Sequence, residues 1–207
     1  GYWLAGYALG QLANTSFERA LGDYLLRPCG MNYTAFDAGH LVAYGHTGGR
    51  PIRDGYWLCR RPAGGLISTV GDLLTFAEAL FDREDLLEIT GSTVAPSLLG
   101  SRYALGWNIS HGGEVRWHEG DWGGCHALLL LHPRRRFAAA VVVNDDAGVR
   151  VRTHLGWAEL SAATGLGRPR FAPTLFSARA LVRYAIARVT SIGSSGPPSR
   201  RPSLPTR

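Results

Sequence analysis

The amino-acid sequence predicts an α+β fold, an antiparallel sheet flanked by helices. Three observations carry this: two capped amphipathic stretches within the first 81 residues, strand-like patterning after residue 102, and one further helical stretch from residue 149. Helices, then strands, then a helix is the element order of that class. The chain's 207 residues, 45% hydrophobic and 18% charged, suffice to bury the core of one medium domain.

Taken in order, residues 2–13 are apolar and small (Trp3, Leu4, Tyr7, Leu9, Leu12) and read as a buried helix. Thr15 with Glu18 is a capping-box pattern. Phe17, Ala20, Leu21, Tyr24 and Leu25 then make one apolar stripe, which Pro28 and Gly30 are expected to stop. Residues 36–65, rich in Gly, aromatics and Arg, read as an ordered excursion without regular elements. Thr69 with Asp72 is a second capping box, heading a helix with Leu73, Phe76, Ala77, Leu80 and Phe81 on one face.

Val115 and Trp117 alternate with Glu114, Arg116 and His118, as in a half-buried strand. Cys125–Leu131 and Phe137–Val143 are continuous apolar runs joined by Pro133-Arg134-Arg135-Arg136, which predicts a central hairpin covered on both faces. Residues 149–165 read as a closing helix ending at Gly165. Leu175–Val189 is read as a short helix, and Ser191–Arg207 as a disordered Pro/Ser/Arg-rich segment. The expected division is therefore a domain over 1–166 and a partly disordered basic tail over 167–207.

Charge and composition exclude several functions. The net charge of +6 resides in the tail: residues 1–167 hold 14 Arg against 16 acidic residues, and residues 168–207 hold 8 Arg and no acid. A nucleic-acid reader needs a basic face with stacking aromatics on the fold, and none is evident, so no nucleic-acid partner is expected. No apolar run approaches the roughly 18 residues of a membrane span. The chain has no Lys, which removes any Lys base, Schiff base or P-loop Lys from these residues. Its exclusive use of Arg suggests a bacterial coding background. Three cysteines without CxxC spacing predict free thiols. The opening Gly1-Tyr2-Trp3-Leu4, without Met or a basic leader, is expected of a chain cut from a longer one.

Four segments together resemble the β-lactamase-related serine hydrolases, which include class C β-lactamases, DD-peptidases and esterases. Gly1-Tyr2-x-Leu4-Ala5-Gly6, Thr15-Ser16-Phe17-Glu18 and Leu26-x-Pro28-x-Gly30-Met31-x-x-Thr34 are similar to the stretch after that family's Tyr-x-Asn motif. Pro62-Ala63-Gly64-Gly65-Leu66 with Ser68-Thr69 and Asp72-Leu73 resembles its Gly-Gly-Leu segment, and Tyr103-x-Leu105-Gly106-Trp107 its Tyr-Gly-x-Gly-Trp strand entry. His118-Glu119-Gly120, Gly124, Pro133 and a strand ending at Asn144 resemble its third motif and terminal hairpin. The resemblance covers residues 1 to about 166 and implies the C-terminal part of a β-lactamase/transpeptidase-like fold.

It also implies an activity: acyl-enzyme hydrolysis of an ester, amide or peptide, without cofactor. The family nucleophile lies in Ser-x-x-Lys, which a chain without Lys cannot contain, and none of the eight tyrosines begins a Tyr-x-Asn. The resemblance implies that both motifs lie upstream of Gly1 and that the isolated chain is inactive. The alternative is an inactive truncated paralogue, serving as a binding module or as a non-functional fragment.

Within the third motif, the resemblance implies that His118 stands where relatives carry Lys or His, facing the cleft as a donor on the proton path. Gly120 lets substrate lie flat against its strand, and the Asp121 backbone N–H is the second oxyanion donor. Glu119 and Trp122 flank this position and are expected to meet substrate. The carboxylates of Glu119 and Asp121 are expected to oppose negative charge there and to disfavour anionic β-lactams. The neighbouring His111, Cys125 and His126 complete no metal motif, because Trp122 stands where His-Glu-x-x-His needs its second histidine. Ser68, next to Thr69 at a helix start, reads as a capping residue and not a nucleophile.

Overall fold

The computed structural model describes residues 1–37, 43–52, 61–96, 102–169 and 184–190. Helix α1 (Tyr2–Leu12) forms where expected but is not buried: only Gly6 and Gly10 are, while Trp3, Leu4, Tyr7 and Leu12 are exposed. Apolar residues surround this helix without a stripe, so its small residues decide the contact face. A Cβ on Gly6 would lie 2.1 Å from Pro62 Cγ.

Helix α2 (Phe17–Leu21) is capped by Ser16, whose hydroxyl accepts from the Arg19 N–H at 3.2 Å. Thr15, the predicted cap, still belongs to the end of α1, its N–H bonded to the Gly10 carbonyl. A π-turn over Gly22–Leu26 follows and leads into α3 (Arg27–Cys29). The π-turn rotates the predicted stripe, burying Leu26 and Cys29 and leaving Tyr24 half exposed. Pro28 does not stop the helix. It lies inside the helical run that continues from the π-turn, and the stop comes at Gly30 in the left-handed region.

Within the stretch expected to lack regular elements, β1 (Gly45–Thr47) and β2 (Arg50–Ile52) pair as a small hairpin. Helix α4 (Val70–Phe81) has the predicted cap, Thr69 Oγ1 accepting from the Asp72 N–H at 3.1 Å. Asp72 does not close the box. Its Oδ2 accepts instead from the Thr34 hydroxyl at 2.6 Å and the Tyr33 N–H at 2.8 Å, tying the turn after α3 to the start of α4. The uncapped α5 (Glu84–Gly91) and β3 (Thr93–Pro96) come next.

The remaining strands are β4 (Arg102–Ala104), β5 (Asn108–Ser110), β6 (Val115–Trp122), β7 (Cys125–His132), β8 (Phe137–Val143) and, after helix α6 (Val149–Thr164), β9 (Tyr184–Thr190). They join β3 in a seven-stranded sheet ordered β3-β4-β5-β6-β7-β8-β9, with antiparallel pairing throughout. Both faces are covered, which is why β7 and β8 read as unbroken apolar runs. Trp117, Leu128, Leu130 and Ala139 pack on Trp157 and Leu160 of α6. Leu129, Leu131, Ala138 and Ala140 pack on Leu74, Ala77, Leu80 and Phe81 of α4. Each fully buried Leu contributes about 1.5–3 kcal/mol of transfer free energy.

The short helix expected over Leu175–Val189 is corrected. Tyr184–Thr190 is a strand paired with β8 along its length, from Phe137↔Thr190 to Val143↔Tyr184. An edge of unpaired backbone groups on β8 favours strand pairing over local helix, and the β-branched Ile186, Val189 and Thr190 suit it. Residues 170–183 and 191–207, which hold the rest of the predicted tail, lie outside the described residues.

Candidate active site

Strand alternation divides the third-motif residues between two faces of β6. Glu119 and Asp121 share the α6 face with Trp117, which meets Trp157 edge-on at 5.4 Å between centroids. His118, Gly120 and Trp122 share the opposite face with Arg116, whose guanidinium reaches α5. Of β6, strand β5 pairs with Val115–Trp117 alone. From His118 onward, β6 therefore has β7 on one side and an open edge on the other, among the described residues.

His118 is exposed on this strand, and its Nδ1 lies 2.6 Å from the Gly106 carbonyl. A carbonyl only accepts, so Nδ1 carries the hydrogen, and Nε2 is left for another partner. Gly106 supplies that acceptor from the β4–β5 turn, where its φ of 84° favours glycine. The same corner is tied to the start of α1: the Tyr2 and Tyr103 hydroxyls lie 2.9 Å apart. Burial and that hydrogen bond push the Tyr103 phenol up to about 12. Trp122 remains 40% exposed.

The carboxylates expected to crowd the anion position are instead held on the far face. Arg152 of α6, 2% exposed, places Nη1 2.7 Å from Asp121 Oδ1 and Nη2 3.4 Å from Glu119 Oε1. Glu119 thus points its side chain into an ion pair and not onto the face of His118. Its charge also acts on Arg168. His126, buried on β7, sits between two acids: Nδ1 is 2.7 Å from Asp121 Oδ1, and Nε2 is 2.9 Å from Asp146 Oδ1. Burial pushes the Asp121 carboxyl up, but the His126 hydrogen bond and the Arg152 charge outweigh it, leaving its pKa below the ordinary value.

Sequence reasoning missed Arg152 and Asp146. Arg152 carried a signal: a charged residue on the buried side of a helix otherwise lined by Gly156, Trp157 and Leu160. The neighbourhood of His111, His118, Cys125 and His126 does not converge, since Cys125 and His118 lie on one face of the sheet and His126 on the other. Among the described residues no group of three or more His, Cys, Asp or Glu is arranged to hold a metal ion. No helix among them is long and apolar enough to cross a membrane.

An antiparallel sheet between helical layers, with a His-x-Gly strand whose edge lies open, defines a β-lactamase/transpeptidase-like fold. The chain belongs to the β-lactamase family, whose model matches residues 1–164. It is similar to the crystal structure of SurE, at 25% identity and a TM-score of 0.67, over 87% of this chain and 47% of SurE. It is also similar to SurE with D-Leu, at 26% identity and a TM-score of 0.63, over 83% and 44%. The D-alanine carboxypeptidase AmpC from Burkholderia cenocepacia shares the fold at 16% identity and a TM-score of 0.67, over 77% and 59%. The chain thus spans about half the length of the SurE chain it matches. No curated protein sequence matches it.

Proposed function

We propose that this chain forms the His118-bearing wall of a serine hydrolase acting through an acyl-enzyme on an ester, amide or peptide. The nucleophile in this reading comes from a Ser-x-x-Lys upstream of Gly1. One observation carries it: His118 and Gly120 stand together on the open edge of β6, with Nδ1 of His118 fixed by the Gly106 carbonyl. An extended acyl group can lie along such an edge by main-chain hydrogen bonds, and Gly120 places no side chain in its way. His118 Nε2 then donates to or accepts from the reacting group, while the Asp121 N–H stabilises the oxyanion. Trp122 borders the acyl group on the same face. The SurE structure with D-Leu supports an aminoacyl group as that acyl part.

The test uses the native polypeptide and this chain alone. A fluorophosphonate probe should label the native protein at one serine of a Ser-x-x-Lys and leave the 207-residue chain unlabelled. In the native protein, His118→Ala should lower turnover of a p-nitrophenyl aminoacyl ester about 10²-fold, the scale of a positioned acid–base group. Labelling of the isolated chain would overturn the upstream nucleophile, and unchanged turnover of His118→Ala with a loss of thermal stability would assign His118 a structural role.

A further inference from the structure

Arg152 is a buried cation whose contacts converge on one short stretch of backbone. Its Nη1 donates to Asp121 Oδ1 at 2.7 Å, to the Ala127 carbonyl at 3.0 Å and to the Gly120 carbonyl at 3.4 Å. These acceptors belong to the register pairs Gly120↔Ala127 and Asp121↔His126, the last two before the closing pair Trp122↔Cys125. His126 holds the same Asp121 oxygen and passes the connection to Asp146, whose other oxygen accepts from the Thr47 hydroxyl.

Two features make this stretch dependent on such support. Strand β5 ends before it, so among the described residues one side of the ladder has no partner strand. The β6–β7 turn beyond it is Gly123-Gly124, with both residues at positive φ and no side chains to pack, so it meets Gly45 and His46 of β1 through backbone alone. A two-stranded tip closed by glycines is a mobile element unless something holds it. Desolvating a guanidinium costs several kcal/mol, so a cation at this point of α6 is stable only through these acceptors. An N–H that stabilises an oxyanion must be held to within about 0.5 Å.

We propose that Arg152 is a positioning residue for acyl transfer: with His126 and Asp146 it grips the Asp121 carboxylate from the α6 side and so fixes the Asp121 N–H on the open edge. The proposal rests on the hydrolase reading above. Arg152 acts from behind the strand and touches no substrate.

Two measurements separate the proposal from that reading. In the 207-residue chain, Arg152→Lys keeps the charge but loses the planar fork. Amide order parameters at Gly120–Trp122 should fall below about 0.6, with those of Leu128–Leu131 unchanged. In the native enzyme, Arg152→Lys should lower kcat on a neutral ester by about 10²-fold with KM nearly unchanged, as for loss of an oxyanion donor. Asp121→Ala, which cuts the grip but keeps the N–H, should give a similar loss, and the double variant should lose no more than either alone. Unchanged order at Gly120–Trp122, or unchanged kcat in an enzyme that turns over, overturns the positioning role while the hydrolase reading stands. An unsubstituted native protein without turnover overturns both.

Discussion

Arg116 and Arg152 are buried cations on opposite sides of β6, and they are satisfied in opposite ways. Arg152 has carboxylates. Among the described residues Arg116 meets the Leu87 carbonyl at 2.6 Å and the Thr90 hydroxyl at 3.1 Å but no carboxylate, while the Nε of both arginines is without a partner. Desolvation lowers the Arg116 pKa for that reason. Its role is to cap the C-terminal turn of α5, where a cation faces the negative end of the helix dipole. Arg116→Ala should therefore cost about 2–4 kcal/mol in urea unfolding, combining a cavity with an unpaired carbonyl. Arg116→Met should cost less than half as much, because it fills the space and removes the desolvated charge. Asp121 gives a pH signature with a definite sign. Its folded pKa lies below the ordinary one, through the His126 hydrogen bond and the Arg152 charge acting against burial. Its stabilisation is fully present above the unfolded value of about 3.9 and disappears as pH falls through the folded one. Urea midpoints measured between pH 5 and pH 2 should fall more steeply for the unsubstituted chain than for Asp121→Asn. Parallel curves would show that this carboxylate is not held as described.

Helix α6 sits on the sheet at a distance that one residue sets. A Cβ on Gly156 would fall 2.6 Å from Leu128 Cδ2 and 2.9 Å from Leu130 Cδ1, both side chains fully buried. Overpacking of this kind costs about 1–3 kcal/mol, against about 1 kcal/mol returned by alanine's helix propensity. Gly156→Ala should lower the melting temperature by a few degrees, and Gly156→Leu should prevent folding; an unchanged melting temperature for the alanine variant would mean that α6 lies further from β7. Such contacts explain which elements were legible in the residue pattern. The apolar runs of β7 and β8, the Thr69 cap and the Gly165 stop each rest on local chemistry, and they stand as read. Features decided by a distant partner were not legible. Asp72 looks like half of a capping box until Thr34 arrives, the apolar ring of α1 names no contact face until Pro62 meets Gly6, and the π-turn leaves no trace in the spacing of Tyr24 and Leu25. The site follows the same division. The strand bearing His118 and Gly120 could be read from its residues, but the acids beside it change meaning once Arg152, 31 residues after Asp121, pairs with them.

At the scale of the molecule, the sheet's order makes β9 the cover of the apolar β8 edge. Without it, Phe137-Ala138-Ala139-Ala140-Val141-Val142-Val143 would present a full ladder of unpaired backbone groups, uncharged and without proline. Such an edge is a template for association. The same segment of chain also holds most of the excess charge. Removing residues 170–207 takes away seven Arg and moves the net charge from +6 to −1, which weakens the repulsion that keeps copies apart. Removing residues 191–207 alone keeps β9 and leaves the charge at +3. The two truncations therefore separate the strand from the segment after it. Deletion of 191–207 should leave the melting temperature unchanged and the protein monodisperse. Deletion of 170–207 should lower the melting temperature by several degrees, about 2–4 °C for each kcal/mol lost in a chain of this length, and light scattering should show concentration-dependent association. Added salt would strengthen that association if lost repulsion were its cause. A Val141→Lys substitution on the bared edge would not suit this control, since Val141 is fully buried and pairs with Leu128, which faces α6. A charge in the half-buried Val142 position is the better choice, and Val142→Lys in the shorter chain should suppress association without restoring the melting temperature. If the 170–207 deletion keeps both its melting temperature and its monomeric state, β9 contributes nothing to the sheet, and the tail is as dispensable as its composition alone suggests.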